Sequence, residues 1–179
     1  MTPQQPAQQA RPAAAPLNGL SLVDTCRFRL RTPAEAEAVA MAAAGMFRDP
    51  ARAMMGLHAL MLNAIEHGCL GIGHTFKNRL VEGGTWDEEA ARRLSLPDNR
   101  AKRIELVVSR KDEGVYAVVT DPGEGFDWRT WLSVDPARAG SLTGRGIAHA
   151  RSACFDGLSY NDKGNQAVAF ERNGPGLVW

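Results

Sequence analysis

The chain has 179 residues, 44% apolar and 23% charged, and 21 lysines and arginines against 20 aspartates and glutamates leave a net charge of +1. That is one domain's worth of chain, and the charge balance excludes a generic polyanion binder, which meets nucleic acid or acidic lipid with a basic excess. Cys26, Cys69 and Cys154 are too few and too scattered for a disulfide framework, no apolar run approaches the roughly 18 residues of a membrane span, and the first residues lack a secretory pattern, so the expectation is a cytoplasmic domain that binds neither nucleic acid directly nor membrane.

Residues 1–19 read as a flexible tail. Within 1–17 stand four prolines and four glutamines and no aromatic side chain, too little apolar surface to offset the entropy of ordering. The alternative is an arm that orders on a partner. The folded domain is expected over 20–172, with 173–179 as a C-terminal tail. Leu22, Cys26, Phe28 and Leu30, largely alternating with Asp24, Arg27, Arg29 and Arg31, predict a half-exposed strand. Thr32-Pro33-Ala34-Glu35 is a capping-box helix start for a helix to about Phe47. Asp49-Pro50 starts a second helix, running to His67 and ended by Gly68 and Gly71. The stretch 71–97 is polar, with a short helix over Trp86–Leu94 stopped by Pro97. Ile104–Ser109 and Val115–Thr120 are β-branched runs joined by Lys111-Asp112-Glu113-Gly114, a hairpin. Gly144–Cys154 reads as a helix, and Leu158–Tyr160 with Gln166–Phe170 as a closing hairpin around Asp162–Asn165. Helices early and strands late predict an α+β fold: a two-layer α/β sandwich, helices on one face of a mainly antiparallel sheet.

Three motifs carry chemistry. In Leu62-Asn63-Ala64-Ile65-Glu66-His67, Asn63 and His67 are four apart and stack on one helical face, bordered by Glu66. Asn63 is either hydrogen-bonded to a neighbouring loop or a hard oxygen ligand for a magnesium ion that already carries phosphate and water. In Asp121-Pro122-Gly123-Glu124-Gly125-Phe126, directly after a strand, the glycines permit close approach or positive φ. Asp121 is either part of an ordinary turn or an acceptor for an exocyclic amine, which adenine offers and guanine does not. Gly144-Arg145-Gly146-Ile147 opens a helix whose free N–H groups suit phosphate, with Arg145 able to add a charge-assisted contact. His67, Cys69 and His74 match no zinc spacing, and the four tryptophans (Trp86, Trp128, Trp131, Trp179) read as packing, with Trp179 as an oligomer contact if exposed.

Taken in order, these motifs resemble the N, G1 and G2 boxes of the GHKL ATPase superfamily, built on the Bergerat fold. Leu62–Gly68, Gly125-Phe126-Asp127-Trp128, Gly144–Ile147 and Gly164-Asn165-Gln166-Ala167-Val168 look more narrowly like the anti-sigma-factor serine/threonine kinase branch, and Phe76–Pro97 resembles modules joined to receiver or phosphatase domains in bacteria. The resemblance covers roughly 20–172 and implies the histidine kinase-like ATPase domain. It implies ATP or ADP with Mg2+ as ligands, Asn63 on the metal, Asp121 on the adenine amine, and Gly123, Gly125 and Phe126 around the base. His67 joins the nucleotide set, Gly144, Arg145, Gly146 and Ile147 meet the phosphates, 129–143 forms a mobile lid with Gly140, Ser141 and Thr143, and Gly164 and Asn165 border the pocket. The implied partner is a sigma factor or an anti-anti-sigma-type antagonist, and members of the family often dimerise.

One position departs from the family. The N box reads Glu-x-x-x-Asn, the Glu serving as general base, but four residues before Asn63 stands Ala59. His58 points about 100° away on the helix, and Glu66 follows the asparagine. No catalytic residue is assigned. The expectation is a nucleotide-binding regulatory module with impaired phosphotransfer, the alternative an active serine/threonine kinase. A sensor histidine kinase is disfavoured, because the helix over 33–47 is short, Ala-rich and begins with Pro, unlike a long dimerising coiled coil.

Overall fold

The computed structural model describes residues 19–132 and 143–174. Residues 1–18 of the expected tail, 133–142 of the anticipated lid with Gly140 and Ser141, and 175–179 with Trp179 lie outside them.

The chain begins with a 3-10 turn over Gly19–Leu22 and enters β1 (Thr25–Leu30). The strand starts later than the alternation indicated, because Leu22 sits in that turn, 77% exposed. Along β1, Cys26, Phe28 and Leu30 face inward between exposed Thr25, Arg27 and Arg29. α1 (Pro33–Ala44) carries the complete capping box: the Thr32 side chain accepts from the Glu35 N–H, and the Glu35 carboxylate accepts from the Thr32 N–H at 3.0 Å. These bonds hold the Glu35 carboxyl below its ordinary range, the Arg31 N–H contributing most. Thr32→Ala is expected to cost about 1 kcal/mol, read in a thermal melt as a fall of roughly 2–4 °C.

α2 (Pro50–Asn63) starts as anticipated, with Asp49 accepting from the Arg52 N–H and Pro50 in the first turn. It does not run on as an α-helix to His67. From Ala64 to Cys69 the backbone widens into a π-helical turn, closed by a Leu70 N–H to Ile65 carbonyl bond of 2.9 Å. Such turns recur at functional sites.

The polar stretch after it holds more helix than its composition indicated: α3 (His74–Glu82), α4 (Trp86–Ser95) and the short α5 (Pro97–Arg100). β2 (Ile104–Lys111) and β3 (Gly114–Thr120) form the central hairpin. After a 3-10 turn at Trp128–Trp131, α6 (Gly146–His149) continues as a second π-helical turn, Ala150–Cys154. β4 (Gly157–Tyr160) and β5 (Gln166–Arg172) complete the chain.

The strands form one sheet in the order β1-β2-β3-β5-β4, every neighbouring pair antiparallel. The protein is an α+β sandwich. Period-2 alternation sends Ile104, Leu106, Val108, Ala117, Val119 and Ala169 into the core and leaves Val107, Val118 and Val168 half-buried on the other face. Against the buried face lie Leu57, Leu60, Met61 and Ile65. Gly56 lets Phe155 press onto α2, where a methyl group would stand 2.4 Å from the Phe155 ring. All three cysteines are free thiols. Among the described residues no helix is long and apolar enough to cross a membrane.

Candidate functional site

The last turn of α2, the start of α3, the C-terminal ends of β3 and β4 and the start of α6 enclose a cavity of about 340 Å³, within the size range of small-molecule sites. Asn63, His67, Asp121, Gly125, Phe126, Gly144, Gly146, Ile147, Gly164 and Asn165 all line it. These residues come from four separate stretches of chain. Gly123 stands one step behind, its N–H donating to Asp121 Oδ1 at 2.8 Å. Arg145 does not line the cavity and is exposed.

Asp121 is positioned by backbone. Its N–H donates to the Asn165 carbonyl at 3.0 Å and its carbonyl accepts from Asn165 Nδ2 at 3.1 Å, extending the β3–β5 ladder by one step. The carboxylate fits because its neighbours have no side chains: a methyl on Gly68 would stand 2.1 Å from Asp121 Oδ1, and one on Gly123 would be 2.8 Å away. Burial pushes the Asp121 carboxyl up to about 6, against the pull of the Gly123 N–H and of Lys163. Beside it Tyr160 is held above its usual range, first by burial and then by the Asp121 charge. Phe126 packs edge-on to Tyr160 with centroids 5.5 Å apart, and Trp128 stacks on Tyr160 at 5.8 Å. One carboxylate beside aromatic and aliphatic surface, with Val119 and Ala167 also in the lining, can recognise a flat heterocycle that carries a hydrogen-bond donor.

Two loops meet backbone to backbone at the rim. Gly125 (φ +80) and Gly164 (φ +82) both need the left-handed region. A methyl on Gly125 would stand 1.9 Å from the Lys163 carbonyl oxygen, and one on Gly164 2.1 Å from the Phe126 carbonyl oxygen. Asn161 Oδ1 folds the second loop, accepting from the N–H groups of Gly164 at 2.8 Å and Asn165 at 3.1 Å.

At the α2 side, the His67 Nδ1 meets the Ile72 carbonyl. A carbonyl only accepts, so Nδ1 carries the hydrogen and Nε2 is left as an acceptor in the neutral ring. Burial lowers the His67 pKa and favours that neutral form. Gly146 opens α6 opposite Asn63 and Ala59: a methyl there would lie 3.7 Å from the Ala59 Cβ and 3.9 Å from Asn63 Nδ2. Whatever side chain stands at position 59 therefore faces the start of α6. Gly144 (φ +83) packs on His74, where a methyl would come within 2.5 Å of the ring.

Sequence reasoning missed the whole α3 contribution, His74 and Lys77, together with Gly71–Gly73, Trp131 and Tyr160, all of which line the cavity. Lys77 pairs with Glu66, which is fully buried in the π-helical turn. The apolar spacing of Phe76 and Leu80, four apart between Gly73 and Gly83, was the available signal for α3.

No protein-family model matches the chain, and no curated protein matches it.

Proposed function

We propose that the chain is an ATP- or ADP-binding regulatory module of the anti-sigma-factor kinase type, a GHKL domain of the Bergerat fold with impaired phosphotransfer. The observation that carries this reading is the convergence of Asn63, Asp121, Gly125, Gly144 and Gly146 on one cavity of about 340 Å³. In it Asp121 accepts from the adenine amine, against the aromatic surface of Phe126 and Tyr160. Asn63 holds Mg2+, which supplies charge neutralisation at the phosphates when bound. The residues fit that group: the Asn63 side chain lines the same cavity as Gly144, Gly146 and Ile147, and magnesium is commonly held by one or two protein oxygens plus phosphates and water. Gly144, Gly146 and Ile147 border the phosphates.

Phosphotransfer is weak because the methyl of Ala59 stands opposite Gly146, where a general base would accept the proton of an attacking hydroxyl. Positioning and electrostatics remain, so nucleotide is held without efficient transfer. The nucleotide then sets affinity for a protein partner in the cytoplasm, a sigma factor or an anti-anti-sigma-type antagonist, and the module is a candidate homodimer.

Calorimetry is expected to show ATP binding with Mg2+ and little phosphate transfer to a candidate antagonist. Ala59→Glu is expected to raise transfer by on the order of 10²–10⁴-fold. Absence of nucleotide binding would overturn the reading. Rapid transfer by the unsubstituted protein would favour the alternative, an active serine/threonine kinase.

A further inference from the structure

A ligand that carries phosphate needs positive charge near it, and the cavity offers little. Arg145, the cation adjacent in sequence to the glycines of α6, is exposed and outside the lining. Among the described lining residues, Lys77 is the one ammonium or guanidinium group. Its position is imposed from behind. The Lys77 Nζ donates to Glu66 Oε2, and Glu66 is completely buried while the lysine side chain keeps 16% of its surface open.

Glu66 is a costly residue to bury. Burial pushes its carboxyl above the ordinary range, opposed first by the Lys77 ammonium. A buried carboxylate is tolerated when it is paired and hydrogen-bonded, and here its counter-ion is a side chain that reaches the cavity. An ammonium group has three N–H donors, and Glu66 Oε2 engages one. The tether also selects a direction: Lys77 is three residues after His74, on one face of α3, and Gly144 packs against that His74 ring. The Lys77 charge is felt at His67 as well, where it helps lower the ring's pKa. Lys77 therefore stands at the His67, His74 and Gly144 side of the cavity.

We propose that Lys77, tethered by the buried Glu66, is the group that receives the phosphate of a nucleoside di- or triphosphate in this cavity, with Glu66 as its positioning residue. The inference rests on the nucleotide-binding reading and adds to it the protein's own cation, beside the magnesium, that helps distinguish a nucleotide from a nucleoside. The lysine need not leave Glu66, since its remaining donors meet the phosphate oxygens.

The test is calorimetry on the full chain with adenosine, ADP and ATP, each with Mg2+. The unsubstituted protein is expected to bind ADP and ATP more tightly than adenosine, and Lys77→Met to cut nucleotide affinity on the order of 10- to 100-fold while adenosine affinity holds. Lys77→Arg keeps the charge and is expected to restore most of the gap. Glu66→Gln keeps an oxygen that can accept from the lysine but removes the anchoring charge, and the ratio of ATP to adenosine affinity falls severalfold with adenosine unchanged, which a purely structural role would not produce. Should Lys77→Met alone fail to fold around an unpaired Glu66, the double variant Lys77→Met/Glu66→Gln makes the same comparison without a buried charge. Equal ATP-to-adenosine ratios in the unsubstituted protein and the lysine variant would overturn the inference and leave the nucleotide reading standing. Binding of neither adenosine nor nucleotide by the unsubstituted protein would remove that reading, and the inference with it.

Discussion

Asp121→Asn is expected to weaken ATP binding by about 10- to 100-fold and, in the same protein, to raise the stability of the ligand-free state. Both effects come from one carboxylate. The Gly123 N–H donates to Oδ1 at 2.8 Å, so in the variant it holds the amide oxygen and leaves the NH2 in the place of the second carboxylate oxygen. An acceptor becomes a donor, and it faces the donor of an adenine amine. A guanine carbonyl would be the better match, so the preference for adenine over guanine nucleotides is expected to shrink or invert. The stability gain arises because burial has pushed the Asp121 carboxyl up from 3.8 to about 6. The folded protein therefore binds this proton more tightly than the unfolded chain, and the contribution to stability is fully present below pH ~4 and lost as pH rises through about 6. At pH 7 the charged, partly desolvated carboxylate costs on the order of 1 kcal/mol once solvent screening is counted. The amide escapes that cost. Glu66 also has a raised pKa, so the difference between the melting curves of protein and variant over pH 4–8, rather than either curve alone, isolates Asp121. The nucleotide works with the opposite sign: it needs the carboxylate, so affinity for ATP should fall as pH drops below about 6 in the unsubstituted protein, and fall less in the variant. A variant that binds ATP undiminished would exclude Asp121 from recognition of the base.

The elements that could be read along the chain are those whose cause is local. The capping box of Thr32 and Glu35 and the Asp49-Pro50 helix start both formed as the residues dictate, because each is a bond between groups three residues apart. The alternation in β1 and β2 set one buried face, and the hairpin at Lys111–Gly114 followed from turn chemistry. The cavity residues were legible for a related reason: Gly125 and Gly144 satisfy a backbone demand at their own positions, a positive φ. What could not be read depends on distant neighbours. Gly68 ends the first motif as an apparent helix stop, yet its lack of a side chain serves the Asp121 carboxylate, far along the chain. α3 was hidden between glycines that prove to be its boundaries, Gly73 before it and Gly83 after it. Lys77 carries no mark in the sequence, since nothing there shows that Glu66 is buried and needs a counter-ion. Arg145 is the cation the sequence singles out, because it adjoins Gly144 and Gly146, but it is exposed at the N-cap of α6.

Gly164→Ala is expected to have a large effect on the fold around the site. Two costs combine. The left-handed φ of +82 at this position costs an alanine about 1 kcal/mol. The added methyl would also stand 2.1 Å from the Phe126 carbonyl oxygen and 2.8 Å from the Phe126 nitrogen. Those are backbone atoms, and they cannot swing aside as a side-chain end can. The 161–165 turn and the 125–126 loop must separate, and with them go the Gly164 N–H bond to Asn161 Oδ1 and the Asn165 bonds that set Asp121. The expected loss is about 2–4 kcal/mol, a drop in melting temperature on the order of 5–15 °C. Gly84→Ala separates the two costs. Gly84 has a similar φ of +67, and a methyl there meets nothing within 4 Å, so it should lose only the backbone share of about 1 kcal/mol. Nucleotide affinity should survive in Gly84→Ala and collapse in Gly164→Ala, because Gly125, Phe126 and Asn165 line the cavity that the separation opens. Equal melting temperatures for the two variants would mean that the loops do not depend on this backbone contact, and that Asp121 is held by the β3–β5 ladder alone.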